Sequence, residues 1–368
     1  MSGRGSPQSL LRRALGRQLV WGIVAIAALL ALSLSRDPGY LAISVNPANG
    51  NLVGNLLDIL RAAAPLLMIA VGSCLVIATG GIDLSVGSVM VVSGAVSMEF
   101  LRIAADSTSP SPALTAVALA LALSTALGVV NGVLVAFVGL QPFITTLVTL
   151  LAGRGLAKVI TSGQNTTAIN DPFRWIANGY VVGFPVVVLI AAIVVAVMAV
   201  VVRRTALGLM IESIGINAEA SRLAGIRQRG LLITVYAISG VLAGVAGLFA
   251  VSSVMTVDVS RTGAQLEMDA ILAVVIGGTS LAGGKFSIGG AVVGALLIAT
   301  LDKTVVFLGV PSSATPAFKA VVIIILCLVQ SDRIRGYVST RRRVAARGRA
   351  VPVRLGLMAD ETKRERAS

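Results

Sequence analysis

Histidine is absent from the 368 residues, cysteine occurs twice, and aromatic side chains make up 4%. Without histidine there is no Ser-His or Cys-His nucleophile and no histidine metal site. Cys74 and Cys327 both lie in apolar runs, so each reads as a small buried side chain; neither a disulfide framework nor a metal site is indicated. Charged residues are also scarce, at 12%, and acids are outnumbered by bases, 16 to 30. A phosphate-binding loop is missing. The Gly284-Lys285 pair has Thr279 where GxxxxGK[ST] needs its first glycine and Phe286 where it needs Ser or Thr. An aspartyl intramembrane protease would need paired carboxylates, and Asp83 stands nearly alone near a core position. The chain therefore holds no nucleotide engine and no hydrolytic centre; it draws energy from a partner or acts passively, and no cofactor is expected.

Hydrophobic residues make up 56% of the chain and the mean hydropathy is +0.93, more apolar surface than a soluble core could bury. Runs near twenty residues, rich in Ala, Leu and Val and without strand alternation, predict membrane-spanning helices. The expected class is an all-α polytopic membrane protein of about ten helices. The runs fall at 19–34, 62–79, 84–101, 113–138, 142–160, 180–202, 231–252, 269–283, 286–302 and 316–330, and the pieces at 269–283 and 286–302 are short enough to be re-entrant. The first run is taken as an uncleaved helix rather than a signal peptide.

The net charge of +14 raises nucleic acid as a partner, but the bases cluster at ends and loops with little aromatic interleaving. Positive-inside bias accounts for them better. Residues 1–18, 203–230 and 331–368 hold 20 of the 30 basic residues. Six spans precede the second segment and four more precede the third, so both return to the side of the N-terminus. This predicts a basic cytoplasmic N-terminus (1–18), a transmembrane domain (19–330) with a cytoplasmic loop at 203–230, and a basic, disordered cytoplasmic tail (331–368).

GxxxG spacings at Gly128/Gly132, Gly240/Gly244 and Gly290/Gly294 predict close helix packing. A short echo links IATGGIDLSVGSVMVVSGA (77–95) to VIGGTSLAGGKFSIGGAVVGA (275–295), suggesting two weakly related halves, each with a broken helix.

The break at Thr79, Gly80, Gly81, Asp83 and Ser85 is either a turn or a site. A charge at mid-membrane costs roughly 2.5–3.5 kcal/mol on insertion scales. Asp83 either caps a helix beginning at Leu84 near a membrane face or lines a polar path, and local sequence leaves both open. Asn131 and Gln141 are expected to tie neighbouring helices together more than to line a pathway. Glu267 and Asp269 read as solvated or capping residues. Residues 205–226 are too polar to span, and a short helix is expected over 217–223, bracketed by Gly215 and Gly225, with Ala218, Ala220 and Ala224 forming a small-residue face suited to a cleft on another protein.

ATGGIDLSVGS (78–88), QPFITTLVTLLAGRGLAKVITSGQ (141–164), IESIGINAEASRLAGI (211–226) and MDAILAVVIGGTSLAGGKFS (268–287) are similar to the membrane permeases of bacterial ABC sugar importers. The branch they resemble is the ribose, xylose and galactofuranose type within the branched-chain amino acid permease superfamily, and the galactofuranose-type permease most of all. Met268 stands where the family has leucine, and Ser213 where relatives often have alanine. The resemblance covers about residues 50–332. It implies a multi-pass inner-membrane subunit, paired with a second permease subunit, bound to a cytoplasmic ATPase and served by a periplasmic sugar-binding protein. It implies that Glu212, Gly215, Asn217, Ala220 and Gly225 belong to the loop that docks on the ATPase. It also implies that the break at Thr79, Gly80, Gly81, Asp83 and Ser85 borders the translocation route, with Asn131 and Gln141 as the further candidates for its lining. The alternatives are a stand-alone facilitator or channel, or an ABC permease for another small polar solute such as a nucleoside or a branched-chain amino acid.

Overall fold

The computed structural model describes residues 18–104, 106–311 and 313–330. The expected N-terminal basic segment and C-terminal tail lie outside the described residues, apart from Gln18, and so does the side chain of Cys327. The chain divides into two compact units, Met1–Lys319 and Ala320–Ser368. In its described part the second unit is the remainder of one helix, ending at Gln330.

Thirteen helices are described. They are α1 (Gln18–Arg36), α2 (Asn55–Ala78), α3 (Val86–Ile103), α4 (Pro110–Val133, continued by a π turn at Leu134–Val138), α5 (Pro142–Ile160), α6 (Asp171–Asn178), α7 (Val186–Arg204), α8 (Ala206–Ile216), α9 (Ala218–Leu223), α10 (Gln228–Val254), α11 (Leu266–Ile276), α12 (Ile288–Phe307) and α13 (Thr315–Gln330). Three two-residue ribbons accompany them: β1 (Ser44–Val45) with β2 (Leu52–Val53), β3 (Thr166–Thr167) with β6 (Thr256–Val257), and β4 (Tyr180–Val181) with β5 (Phe184–Pro185), all antiparallel.

Helix starts follow the chemistry of their caps. Ser109, Asn170, Thr205, Asn217 and Ser287 each accept a backbone N–H from the first turn that follows. Pro110, Pro142 and Pro172 sit in first turns, where a missing N–H costs nothing.

Among the described residues eight helices are long and apolar enough to cross a membrane. Two of the ten expected runs are not among them: α11, in the run at 269–283 that is short enough to be re-entrant, has 11 residues and ends where Gly277 and Gly278 begin another non-helical stretch, and α13, in the run at 316–330, has 16. The expected run at 180–202 begins six residues late, because 180–185 form the β4–β5 hairpin. The most buried helices are α2, α3, α10 and α12.

Glycines set the closest crossings. A β-carbon on Gly128 would lie 3.1 Å from the α-carbon of Gly240, where α4 meets α10. Gly290 and Gly294 of α12 lie against Gly277 and Ala273 at the end of α11. The three GxxxG spacings therefore mark packing, as lipid-facing bundles require.

Candidate functional site

Two stretches of non-helical backbone run between helices inside the bundle. The first, residues 79–85, joins α2 to α3. It climbs beside α5, where Thr146 Oγ1 donates to the Ile82 carbonyl at 3.0 Å, and further along that helix Gly153 packs against Ser88. The second, residues 255–265, leaves the end of α10 and descends along α3. Its start pairs with β3, whose Thr166 hydroxyl bonds Glu99 near the far end of α3. Its Gly263 lies against the Gly87 carbonyl in the first turn of that helix. Twelve residues of α3 separate these levels, about 18 Å of rise.

The second stretch meets the first turn of α3, just past the first stretch, backbone to backbone at Gly87 and Gly263, where a β-carbon on Gly87 would stand 2.5 Å from the Gly263 carbonyl oxygen. Irregular backbone at membrane depth survives only where protein satisfies its polar groups. Helix α5 supplies much of that cover: besides Thr146, its Arg154 Nη1 donates to the Thr262 carbonyl at 2.8 Å.

Asp83 sits in the first stretch and is 3% exposed. Its Oδ1 accepts from the Ser85 backbone N–H (2.9 Å) and the Ser85 hydroxyl (2.6 Å), and its Oδ2 accepts from the Ser239 hydroxyl of α10 at 2.8 Å. Asn131 of α4 donates to Ser85 Oγ at 2.8 Å and accepts from Thr149 of α5 at 2.6 Å. Ser88 donates to the carbonyls of Ser85 and Thr149. The carboxylate thus ties the break to three other helices in a buried network whose members are paired. It does not cap a helix starting at Leu84: α3 begins at Val86, with Ser85 at the cap position. Tyr236 closes one side; its buried hydroxyl has no hydrogen-bond partner among the described residues and lies against Gly81.

Asn131 does tie helices together. Gln141 does not: it is exposed at the start of α5, and its side chain makes no hydrogen bond among the described residues. Thr79 is half-buried and Gly80 is exposed at the mouth of the break.

The glycines of the two echoing segments come together here. Gly284 N–H donates to the Ala78 carbonyl at 2.9 Å, and a β-carbon on Gly283 would lie 3.0 Å from the α-carbon of Gly80. Gly80, Gly283 and Gly284 all have φ near +85°, a region open to glycine at little cost. Into this point comes Gly215, next to last in α8. A β-carbon there would overlap both the Ala78 carbonyl oxygen and the Gly284 amide.

From Gly215 the chain turns outward. Asn217 ends α8 and caps α9, accepting from Ala220 N–H at 2.9 Å. In α9, Ala218, Ala220, Leu223 and the following Ala224 are exposed, and Gly225 ends the helix with φ +88°. Ile216 and Leu223 are 68% and 75% exposed, an apolar surface without cover among the described residues. Glu219 and Arg222 pair on the solvent side; the hydrogen bond from Arg222 holds the Glu219 carboxyl below the usual carboxylate range. Glu212 lines a cavity of about 290 Å³ with Arg203 and Phe286.

Asp83 is not nearly alone, and Asp269 is neither solvated nor a simple cap. Asp269 of α11 pairs with Lys319 at 2.8 Å, and Asp302 of α12 lies 2.9 Å from the same nitrogen. Lys319 and Asp269 side chains are 17% and 14% exposed. Glu267 is half-buried beside Gly87, with Arg154 the cation whose field reaches it. Sequence reasoning also missed Thr146, Thr149 and Ser239. The signal for the first two was present: the buried positions of α5 are Thr145, Thr146, Thr149, Gly153 and Ala157, a polar and small stripe at helical spacing.

The model of one family, described as branched-chain amino acid transport system / permease component, matches residues 55–329. Over 342 residues the chain is 49% identical to the fructose import permease protein FruF of Bifidobacterium longum, covering 92% of this chain and 94% of that one. It is 40% identical over 285 residues to the galactofuranose transporter permease protein YtfT of Escherichia coli (77% and 82% covered). It is 39% identical over 315 residues to the ribose import permease protein RbsC of the same species (84% and 93% covered). No solved structure matches the chain.

Proposed function

The chain belongs to the branched-chain amino acid transport system / permease component family, and on that premise we propose that it is the multi-pass inner-membrane subunit through which an ATP-driven importer admits a monosaccharide. Relatives named for fructose, galactofuranose and ribose support a sugar as cargo. A separate cytoplasmic ATPase supplies the energy, a periplasmic binding protein delivers the sugar, and a second permease subunit completes the membrane part.

One observation carries the coupling. The α8–α9 segment presents exposed apolar surface at Ile216 and Leu223, and sets Gly215, beside Ile216, directly on Ala78 at the start of the 79–85 break and on Gly284 in the non-helical stretch 277–287. Glu212, Gly215, Asn217, Ala220 and Gly225 form this lever. ATPase closure moves α9, Asn217 passes the motion to α8, and Gly215 shifts the contact between Ala78 and Gly284. Thr79, Gly80, Gly81, Asp83, Ser85, Asn131 and Gln141 border the route. Within that group Asp83, Ser85 and Asn131 hold its wall in shape rather than touch the sugar, since their polar atoms bond one another. The charge pattern assigns the lever, and both chain termini, to the cytoplasm.

Reconstitution in proteoliposomes with binding protein tests this. Uptake should require both the ATPase and ATP; equal uptake without the ATPase ends the proposal.

A further inference from the structure

Tyr236 of α10 is fully buried, and its hydroxyl ends against the 79–85 break with no hydrogen-bond partner among the described residues. A β-carbon on Gly81 would stand 2.8 Å from that oxygen, so the break passes it only as bare backbone. Buried hydroxyls are nearly always bonded, because one left unpaired has given up water for nothing. Neither the lever nor the Asp83 network uses this one.

Ser239 lies three residues further along α10, on the same face and about 4.5 Å of rise away. Its hydroxyl is the one that α10 donates to Asp83, at 2.8 Å. Helix α10 thus offers hydroxyls at two levels to a break that carries one carboxylate, and the field of that carboxylate reaches Tyr236. Tyr236 is the nearer of the two to the lever, since α10 begins at Gln228, which bonds the Ala218 carbonyl of α9. Only the farther level is occupied.

The parts that can carry Asp83 between the levels are in place. Close backbone crossings hold α10: a β-carbon on Gly72 of α2 would lie 3.2 Å from the Ser239 α-carbon, and one on Gly132 of α4 would lie 2.7 Å from that of Ile233. Beyond Gly72, α2 ends at Ala78, where Gly215 bears on it, and Gly80 with φ +83° lets the backbone change direction. Both bonds from Ser85 to Asp83 lie within the break and travel with it.

We propose that Tyr236 is a positioning residue whose hydroxyl takes Asp83 over from Ser239 when the lever draws the break along α10 by about one helical turn. The proposal rests on the importer reading, and the readouts keep the two apart. Tyr236→Phe removes the oxygen and keeps the ring. The purified variant should melt at or above the wild-type temperature and bind the ATPase normally, while uptake by the full complex falls at least fivefold. The direct readout is infrared difference spectroscopy on permease whose four tyrosines are ring-deuterated, reconstituted with unlabelled ATPase and binding protein. Trapping with ATP and vanadate should shift the C–O stretch of one tyrosine per subunit to that of a phenol donating to a carboxylate, and Tyr236→Phe should abolish the shift. Wild-type uptake by Tyr236→Phe, a shift that persists in it, or an unshifted band in a complex that imports sugar overturns the second station alone. A variant that melts well below wild type shows the hydroxyl already bonded and overturns it too. A wild-type complex that imports no sugar overturns the functional reading, and this proposal falls with it.

Discussion

Gly215 and Ala78 touch through backbone alone: the α-carbon of the first lies where any β-carbon would collide with the carbonyl oxygen of the second. Residues 137 positions apart are thereby joined with no side chain between them, at the point where Gly284 also bonds Ala78. A backbone contact has one geometry, so displacement of α8 is handed to the 79–85 break and to the stretch at 277–287 without slack.

Gly215→Ala should therefore break coupling. Overpacking typically costs 1–3 kcal/mol, about what a shifted α8 needs to relieve the clash. Expected is a tenfold or greater loss of sugar uptake in proteoliposomes, with the ATPase still bound and hydrolysing ATP. Uptake at the unmutated rate would show that the contact carries no motion.

The Asp83 network separates charge from hydrogen bonding. Asp83→Asn keeps an acceptor for Ser85 and offers an N–H that the Ser239 hydroxyl can accept, so the fold should persist. Asp83→Ala strands Ser85 and Ser239, at about 1–3 kcal/mol for each buried group left unpaired. Thermal unfolding in detergent should rank the alanine variant well below the asparagine variant. The same melting temperature for both would contradict a structural role for the carboxylate.

The exposed face of α9 gives a docking test. Ala220→Glu or Leu223→Glu adds charge to a surface already in solvent, so stability should change by less than about 0.5 kcal/mol. Co-purification with the ATPase should fall at least tenfold. Glu219→Ala breaks only an exposed pair, worth little, and should copurify normally.

Lys319 anchors α11 and α12 through Asp269 and Asp302. Removing one partner of a largely buried pair costs about 3–5 kcal/mol, so Lys319→Met should lower the melting temperature sharply. Adding Asp269→Asn should recover part of the loss. No recovery in the double variant would mean that the pair is not the source of the cost.

Much of the fold was legible because apolar runs leave a chain in lipid few options. The first span and those at 142–160 and 231–252 fall within about three residues of α1, α5 and α10. The expected short helix at 217–223, bracketed by Gly215 and Gly225, is α9. Hydropathy could not measure depth, and so it left 269–283 and 286–302 alike as spans short enough to be re-entrant, although the first holds a half-length helix and a turn and the second a helix of 20 residues. Nor could it pair polar residues across the bundle. Asp83 draws notice alone, while Ser239 and Thr149 resemble ordinary small residues until the fold sets them beside it. Lys319 was hidden for a similar reason: its two carboxylates lie 50 and 17 positions away in sequence.

The brevity of α11 bears on how the protein is made. Its 11 residues rise about 16 Å, half of a hydrocarbon core, and a segment that short gives the insertion machinery too little to hold as it leaves the ribosome. Its companion is α12, against which Gly277 and Ala273 already pack. Joint entry of the two as one hairpin is the expected route, and a nascent chain halted between them should then leave a cysteine placed in α11 accessible to a water-soluble thiol reagent until its partner has been synthesised.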